Sequence, residues 1–341
     1  MFPAACARPL PAPWPADADC SRRRPLPRRE LLQGALVAAT LALLPPARAF
    51  AATPPQVSSG NRLAITTVSL RARYPFGARA KETRSQDRTS LLDAPDFVAR
   101  DLGLPHIELW SLQFPDTSAD YLDTLRARSE AAGCPVCNIQ VDNPHNLASP
   151  DAQERAAAIR AARTWLDIAQ RLGAPSIRVN LGAPRAQAPF AMDAACDSFR
   201  ELADEAGARG MLVLTENHLG PSRDAELVAD FLDRLDHPRC RVIVDWGNSA
   251  PTGTDDVLAT TRLLAPWLHL VSAKGMAFDR TYTETSYDIA RIVQASEKLG
   301  FRGLYSIELF GETPAWFCAD EAAKAMARTI GSALENFDAA N

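Results

Sequence analysis

Met211-Leu212-Val213-Leu214-Thr215-Glu216-Asn217-His218-Leu219-Gly220 is an apolar run that ends in polar groups and is stopped by a glycine. Side chains alternate along a strand, so Glu216 and His218 project to the same side, a carboxylate beside an imidazole. Two other stretches finish alike: Arg241-Val242-Ile243-Val244 delivers Asp245, and Leu304-Tyr305-Ser306-Ile307 delivers Glu308. Acids crowded at the ends of three apolar strands repel one another unless a cation sits between them, so the constellation points to a metal ion or to proton transfer.

Working outward, the same unit recurs. Strands are expected over 63–70, 106–110, 136–141, 176–181, 241–245, 268–274 and 304–309 as well as at the central run, and helical spacing of apolar residues fills the intervals. Between Asp151 and Leu172, for example, Ile159, Ala162, Leu166 and Ala169 line one face, and Gly173 is the stop signal. Eight short apolar strands alternating with eight helices require a parallel sheet with right-handed crossovers. The α/β class that accommodates such a repeat in about this length is the (β/α)8 TIM barrel. The rival, an open doubly wound sheet, is disfavoured because no Gly-rich phosphate loop follows the first strand. Polar residues close nearly every strand, and only a barrel brings those ends to one mouth.

The first residues differ in character. A Pro-rich basic segment, the apolar run from Leu31 to Leu44 and Ala47-Arg48-Ala49 follow one another in the order of an export signal with its cleavage site. Pro27-Arg28-Arg29-Glu30-Leu31-Leu32-Gln33 resembles the twin-arginine pattern. The expected organisation is an export signal over 1–49, a linker over 50–61 and a barrel over 62–338, with the export machinery as partner and a periplasmic or otherwise exported destination. The apolar run is too short for a stable membrane anchor. Removing seven arginines and three acids leaves 30 basic against 38 acidic residues, a formal charge of −8. Such a surface does not favour nucleic acid. Cys134-Pro135-Val136-Cys137 has redox spacing, but it closes a helix and opens a strand, so a structural role is expected.

Taken together, Leu92-Asp93-Ala94-Pro95-Asp96-Phe97, Ile107-Glu108-Leu109, Glu216-Asn217-His218, Val244-Asp245, Ala273-Lys274-Gly275 and Ile307-Glu308 resemble the xylose-isomerase-like barrels, the sugar phosphate isomerase/epimerase family. The resemblance implies a divalent metal held by Glu216, Asp245 and Glu308. It also exposes a departure: the family's histidines at the end of strand seven and after the strand-six aspartate fall on Ser272 and Asn248. Losing imidazoles shifts a site toward hard, oxygen-loving ions, so Mn²⁺ or Mg²⁺ is expected over Zn²⁺, held weakly or not at all. His218 is a candidate for the missing nitrogen ligand or for a hydrogen bond to substrate. An apurinic endonuclease, built on the same fold, needs several histidines for its multi-zinc cluster, and of the five present only one stands in a fitting position.

Lys274 shares the parity of Ser272 and is expected to serve a developing enolate oxygen, while His269 has the opposite parity and should pack against helices. Glu108, Arg178, Asn180, His218 and Trp246 are the candidates for binding a small carbohydrate. The activity expected is metal-assisted isomerisation or epimerisation of a non-phosphorylated or oxidised sugar through an enediolate, with Glu216 and Glu308 moving the proton. Two alternatives stay open: a lyase or dehydratase acting on a 3-keto-glycoside through the same enolate, and a sugar-binding protein whose metal site has decayed.

Overall fold

In the computed structural model of the protein, the residues described are 62–77, 80, 90–142, 144–183, 189–249, 253–310 and 314–340. The expected export signal and linker lie outside them. Strand β1 (Leu63–Thr66) is followed by α1 (Ala94–Arg100), β2 (Ile107–Trp110), α2 (Ala119–Ala131), β3 (Val136–Val141), α3 (Ala152–Leu172), β4 (Ser176–Val179) and α4 (Met192–Ala208). The second half runs through β5 (Leu212–Glu216), α5 (Ala225–Leu235), β6 (Cys240–Asp245), the one-turn α6 (Trp246–Ser249), α7 (Thr254–Leu264), β7 (Leu268–Gly275), α8 (Ile289–Lys298), β8 (Leu304–Leu309) and α9 (Ala319–Ala340). Every strand pairs in parallel with the next, and β8 pairs with β1, closing the barrel. Among the described residues, no helix is long and apolar enough to cross a membrane.

Local chemistry sets the boundaries. The Asp151 side chain accepts from the Gln153 N–H to start α3, and Gly173 ends the helix at φ 75°, where a side chain would be strained. Asp224 and Asp288 cap α5 and α8 in the same way. The first strand is shorter than its apolar run because Thr66 turns the chain, its hydroxyl accepting from the Val68 N–H to begin a 3₁₀ turn over Thr67–Leu70. Ser69 then donates to the Ile307 carbonyl at 3.1 Å and accepts from the Leu309 N–H at 2.8 Å, pinning this turn to β8.

The apolar residues divide into two cores. A large one lies between sheet and helices, and a small plug of Ala64, Cys137, Leu214, Ile243 and Leu270 fills the lower barrel. Cys134, Cys137, Cys196 and Cys240 are buried free thiols, so the Cys134/Cys137 pair forms no disulfide with itself. With the floor plugged, polar side chains inside the barrel are confined to its middle and its carboxyl-end mouth. The register sets Ser272 beside both Asp245 and Ser306, and Lys274 beside Glu308.

Candidate active site

Above the apolar plug, Glu108 is fully buried and both its oxygens are occupied: Asn138 and Ser306 each donate to it at 2.7 Å. Ser176 donates to Asn138 Oδ1 at 2.7 Å. Burial pushes the Glu108 carboxyl above its usual range, against the pull of these donors. Glu108 therefore ties β2 to β3 and β8 beneath the mouth, and the expectation that it binds substrate is corrected to a supporting role.

At the mouth, two cations are each shared between two acids. Lys274 Nζ lies 2.8 Å from Asp245 Oδ2 and 2.9 Å from Glu308 Oε1, and it donates to Asn248 Oδ1 at 3.2 Å. Arg178 Nη1 lies 2.7 Å from Asp142 Oδ1, and Nε lies 2.9 Å from Glu216 Oε2. The two halves meet through Asn248, whose side-chain amide donates to Glu216 Oε1 at 3.5 Å and whose backbone N–H donates to Asp245 Oδ1 at 2.8 Å. Glu308 also accepts from Ser272 at 3.3 Å and Gln140 at 3.5 Å. Arg178 Nε, Glu216 Oε2 and Asp245 Oδ2 make close ion pairs out of line for hydrogen bonding, so each keeps hydrogen-bonding capacity inside a buried site.

The electrostatics follow from burial set against these neighbours. Burial would raise the Glu308 carboxyl, yet the Lys274 ammonium holds it below its ordinary range. For Glu216 burial prevails over the Arg178 guanidinium and pushes the carboxyl up. Burial would lower the Lys274 ammonium, but Asp245 and Glu308 raise it, so it stays charged. Burial and then Arg178 depress His218 to about 3, leaving it neutral. His218 Nδ1 lies 3.0 Å from Asn180 Oδ1, which makes Nδ1 the protonated nitrogen and leaves Nε2 as the acceptor.

The structure brings Glu216, Asp245, Glu308, Lys274, Arg178, Asn180 and His218 into this one cluster. Trp246 does not join it. It is fully buried behind the sheet, edge-on to Tyr287 with ring centroids 6.1 Å apart and 5.9 Å from the Tyr305 ring. The expected stacking on a sugar is thereby corrected: Trp246 follows the inward-facing Asp245, so alternation sends it outward, and α6 begins at once. Asp142, Trp110 and Gln140 were not anticipated. Trp110 Nε1 donates to Asp142 Oδ2 at 2.7 Å, and Asn180 Nδ2 donates to Asp142 Oδ1 at 3.3 Å, so Asp142 anchors the Arg178 side of the mouth. The usable signal is parity, since Asn138 and Gln140 alternate inward along β3 and Asp142, one residue past its end, continues the line.

The donors do not fit a resident divalent ion. Among the described residues, no three His, Cys, Asp or Glu side chains converge so as to hold one. The three carboxylates are engaged by Lys274 and Arg178, and His218 by Asn180. Ser272 and Asn248, standing where the resemblance places histidines, hydrogen-bond the same carboxylates. The expected metal set of Glu216, Asp245, Glu308 and His218 is corrected accordingly: ammonium and guanidinium already fill the space between the acids.

A closed (β/α)8 barrel with acids gathered at its mouth defines the class, and the sequence agrees: residues 97–331 match the family described as Xylose isomerase-like TIM barrel. The chain belongs to that family. No curated protein matches it. Solved structures similar to it include a D-psicose 3-epimerase with D-tagatose from Clostridium cellulolyticum H10, at 18% identity and TM-score 0.59 over 82% of this chain and 98% of that one. A 3-keto-D-glucoside 4-epimerase from E. coli in its apo form is similar at 14% identity and TM-score 0.57, over 79% and 99%. A Xylose isomerase-like TIM barrel protein from Mycobacterium smegmatis in complex with magnesium is similar at 18% identity and TM-score 0.59, over 80% and 97%. Identities this low speak to the fold.

Proposed function

We propose that this protein is a sugar isomerase or epimerase that moves a proton on a carbon next to a carbonyl. The observation that carries the reading is the pair of buried carboxylates on β5 and β8, Glu216 and Glu308, joined through Asn248 and Lys274. The epimerases among the similar structures lend support to the same reading. One carboxylate takes the α-proton, the C–H electron pair forms the C=C bond, and the carbonyl π pair moves onto oxygen. The resulting oxyanion lies beside the Lys274 ammonium, the kind of fixed charge that stabilises such a transition state. The other group, acting as a carboxylic acid, returns a proton to the opposite face to give the epimer; delivered instead to the former carbonyl carbon it gives the isomer, the adjacent hydroxyl passing its proton to the oxyanion and becoming the new carbonyl. Arg178 Nε and the neutral His218 are placed to orient hydroxyls. The export signal read in residues 1–49 favours non-phosphorylated or oxidised sugars over cytosolic sugar phosphates.

The test is incubation in D₂O with free ketoses and with 3-keto-glucosides, following deuterium at the α-carbon by NMR and products by chromatography. Deuterium incorporation with a new stereoisomer or isomer supports the proposal. A released aglycone would reassign the protein as a lyase, and binding without exchange would reassign it as a sugar-binding protein.

A further inference from the structure

We infer that Lys274 is the resident cation of this mouth, an ammonium that takes the place of the divalent ion implied by the family resemblance. The inference rests on the isomerase reading for the role of the site, but its grounds are geometric. An ammonium has three donors, and three oxygens surround this one: Asp245 Oδ2 at 2.8 Å, Glu308 Oε1 at 2.9 Å and Asn248 Oδ1 at 3.2 Å. It thus stands between two of the three acids that the resemblance assigns to a metal, while Arg178 engages the third.

The surrounding chain is shaped around the lysine. A Cβ on Gly247 would come within 2.5 Å of Lys274 Cδ, 2.7 Å of Cγ and 2.7 Å of Met276 Sδ, so the glycine opens the corridor through which the stem runs. Lys274 Nζ lies 5.2 Å from the centre of the Phe310 ring, which offers its negative face to the charge. The two positions where the resemblance places histidine hold an alcohol and an amide. Asn248 accepts from Lys274 through Oδ1, and Ser272 donates to Glu308. An imidazole at either position would compete for the same carboxylates. The glycine, the serine, the asparagine and the lysine therefore form one consistent exchange of a bound ion for a covalently attached one.

The chemical consequence is a site that needs no metal loading. A single charge on a flexible stem is carried to the substrate oxygen, and chelation of two substrate oxygens is given up. Orientation of the neighbouring hydroxyl then falls to Asn248 and Arg178.

The experiment is titration of Mn²⁺ into the barrel-containing chain, wild type and Lys274→Met, by isothermal calorimetry and Mn²⁺ electron paramagnetic resonance. The wild type should show no saturable site below millimolar Mn²⁺, and Lys274→Met should gain one that is at least about tenfold tighter, as expected for a released ligand set. Micromolar, stoichiometric Mn²⁺ binding by the wild type that disappears in Asp245→Asn would overturn the inference, as would a folded Lys274→Met protein that gains no binding. Should Lys274→Met fail to fold, wild-type melting decides. An unchanged Tm in EDTA and in excess Mn²⁺ supports the lysine, whereas a Mn²⁺-dependent rise that is lost in Asp245→Asn removes it. These readouts involve no sugar, so they stand or fall independently of the deuterium exchange that tests the isomerase reading.

Discussion

Two buried ionic clusters sit at opposite ends of the barrel strands and differ in how completely they are satisfied. At the amino end, Arg62 grips Glu297 with both terminal nitrogens at 2.7 and 2.8 Å. Tyr305 adds a donor to Glu297 at 2.8 Å, and the guanidinium lies 5.5 Å from the centres of the Phe301 and Tyr305 rings. Arg62 Nε donates to the Gly303 carbonyl at 2.9 Å and Nη2 also to the Phe301 carbonyl at 3.3 Å. Among the described residues, none of these charged atoms lacks a hydrogen bond, whereas at the mouth Arg178 Nε, Glu216 Oε2 and Asp245 Oδ2 are held in close ion pairs without one. A buried charge pair is stable only when its remaining hydrogen-bonding capacity is filled. The amino-end cluster meets that condition and is structural. The mouth falls short of it, and under the proposed function the shortfall is what a substrate hydroxyl or carbonyl would complete.

The comparison can be broken by mutation. Arg62→Met leaves Glu297 in the interior with the Tyr305 hydroxyl and, as its remaining cation among the described residues, the half-exposed Arg302, and should lower unfolding free energy in urea by about 3 kcal/mol. Turnover per folded molecule should stay at the wild-type level; a matching loss of turnover would show that the amino-end cluster is not merely structural. At the other end the pattern should invert. Glu216→Gln and Glu308→Gln are each expected to cut turnover at least about a hundredfold, the loss of a positioned acid–base group, with no fall in melting temperature. Wild-type-like rates in either variant would take that residue out of the chemistry.

Smaller changes sharpen the contrast. Gly247→Ala pushes a methyl into the Lys274 stem and should cost about 1–3 kcal/mol by overpacking, together with a drop in turnover as the ammonium shifts. The control is Gly331→Ala in α9, where a Cβ meets nothing within 4 Å and a gain of about 0.4–1 kcal/mol is expected. Normal turnover in Gly247→Ala would mean that the position of the ammonium is not critical.

The last effect is on pH dependence. Burial, with Arg241 adding to it, lowers His269 from 6.5 to about 4. The unfolded chain therefore takes up the proton first: the contribution to stability is complete above pH 6.5 and is lost as pH falls toward 4. Thermal melts between those values should show a decline of about 3 °C that His269→Gln removes. An identical decline in that variant would assign it to other groups.

Much of the fold could be read from residue pattern alone. β3 runs from Val136 to Val141 as expected, and α3 starts and stops at its Asp151 cap and Gly173. These succeed because period, cap and stop signal are local and agree with one another. The misreadings share a cause too. Thr66 and Ser69 sit in an apolar run that reads as continuous strand, but their hydroxyls find partners in the turn itself and across on β8. Trp246 reads as a mouth residue by its nearness to Asp245, and the α6 turn buries it against Tyr287 and Tyr305.

By itself the sequence determined that eight strands would alternate with eight helices and that acids would stand at the ends of β5, β6 and β8, because alternation and helical period are properties of neighbouring residues. Which side chains those acids would meet was decided only by the tertiary structure. The answer depends on distances between side chains 29 to 38 residues apart, Lys274 to Asp245 and Glu308, and Arg178 to Asp142 and Glu216. Barrel closure and strand register set those distances, bringing an ammonium from β7 to the point where carboxylates from β6 and β8 converge.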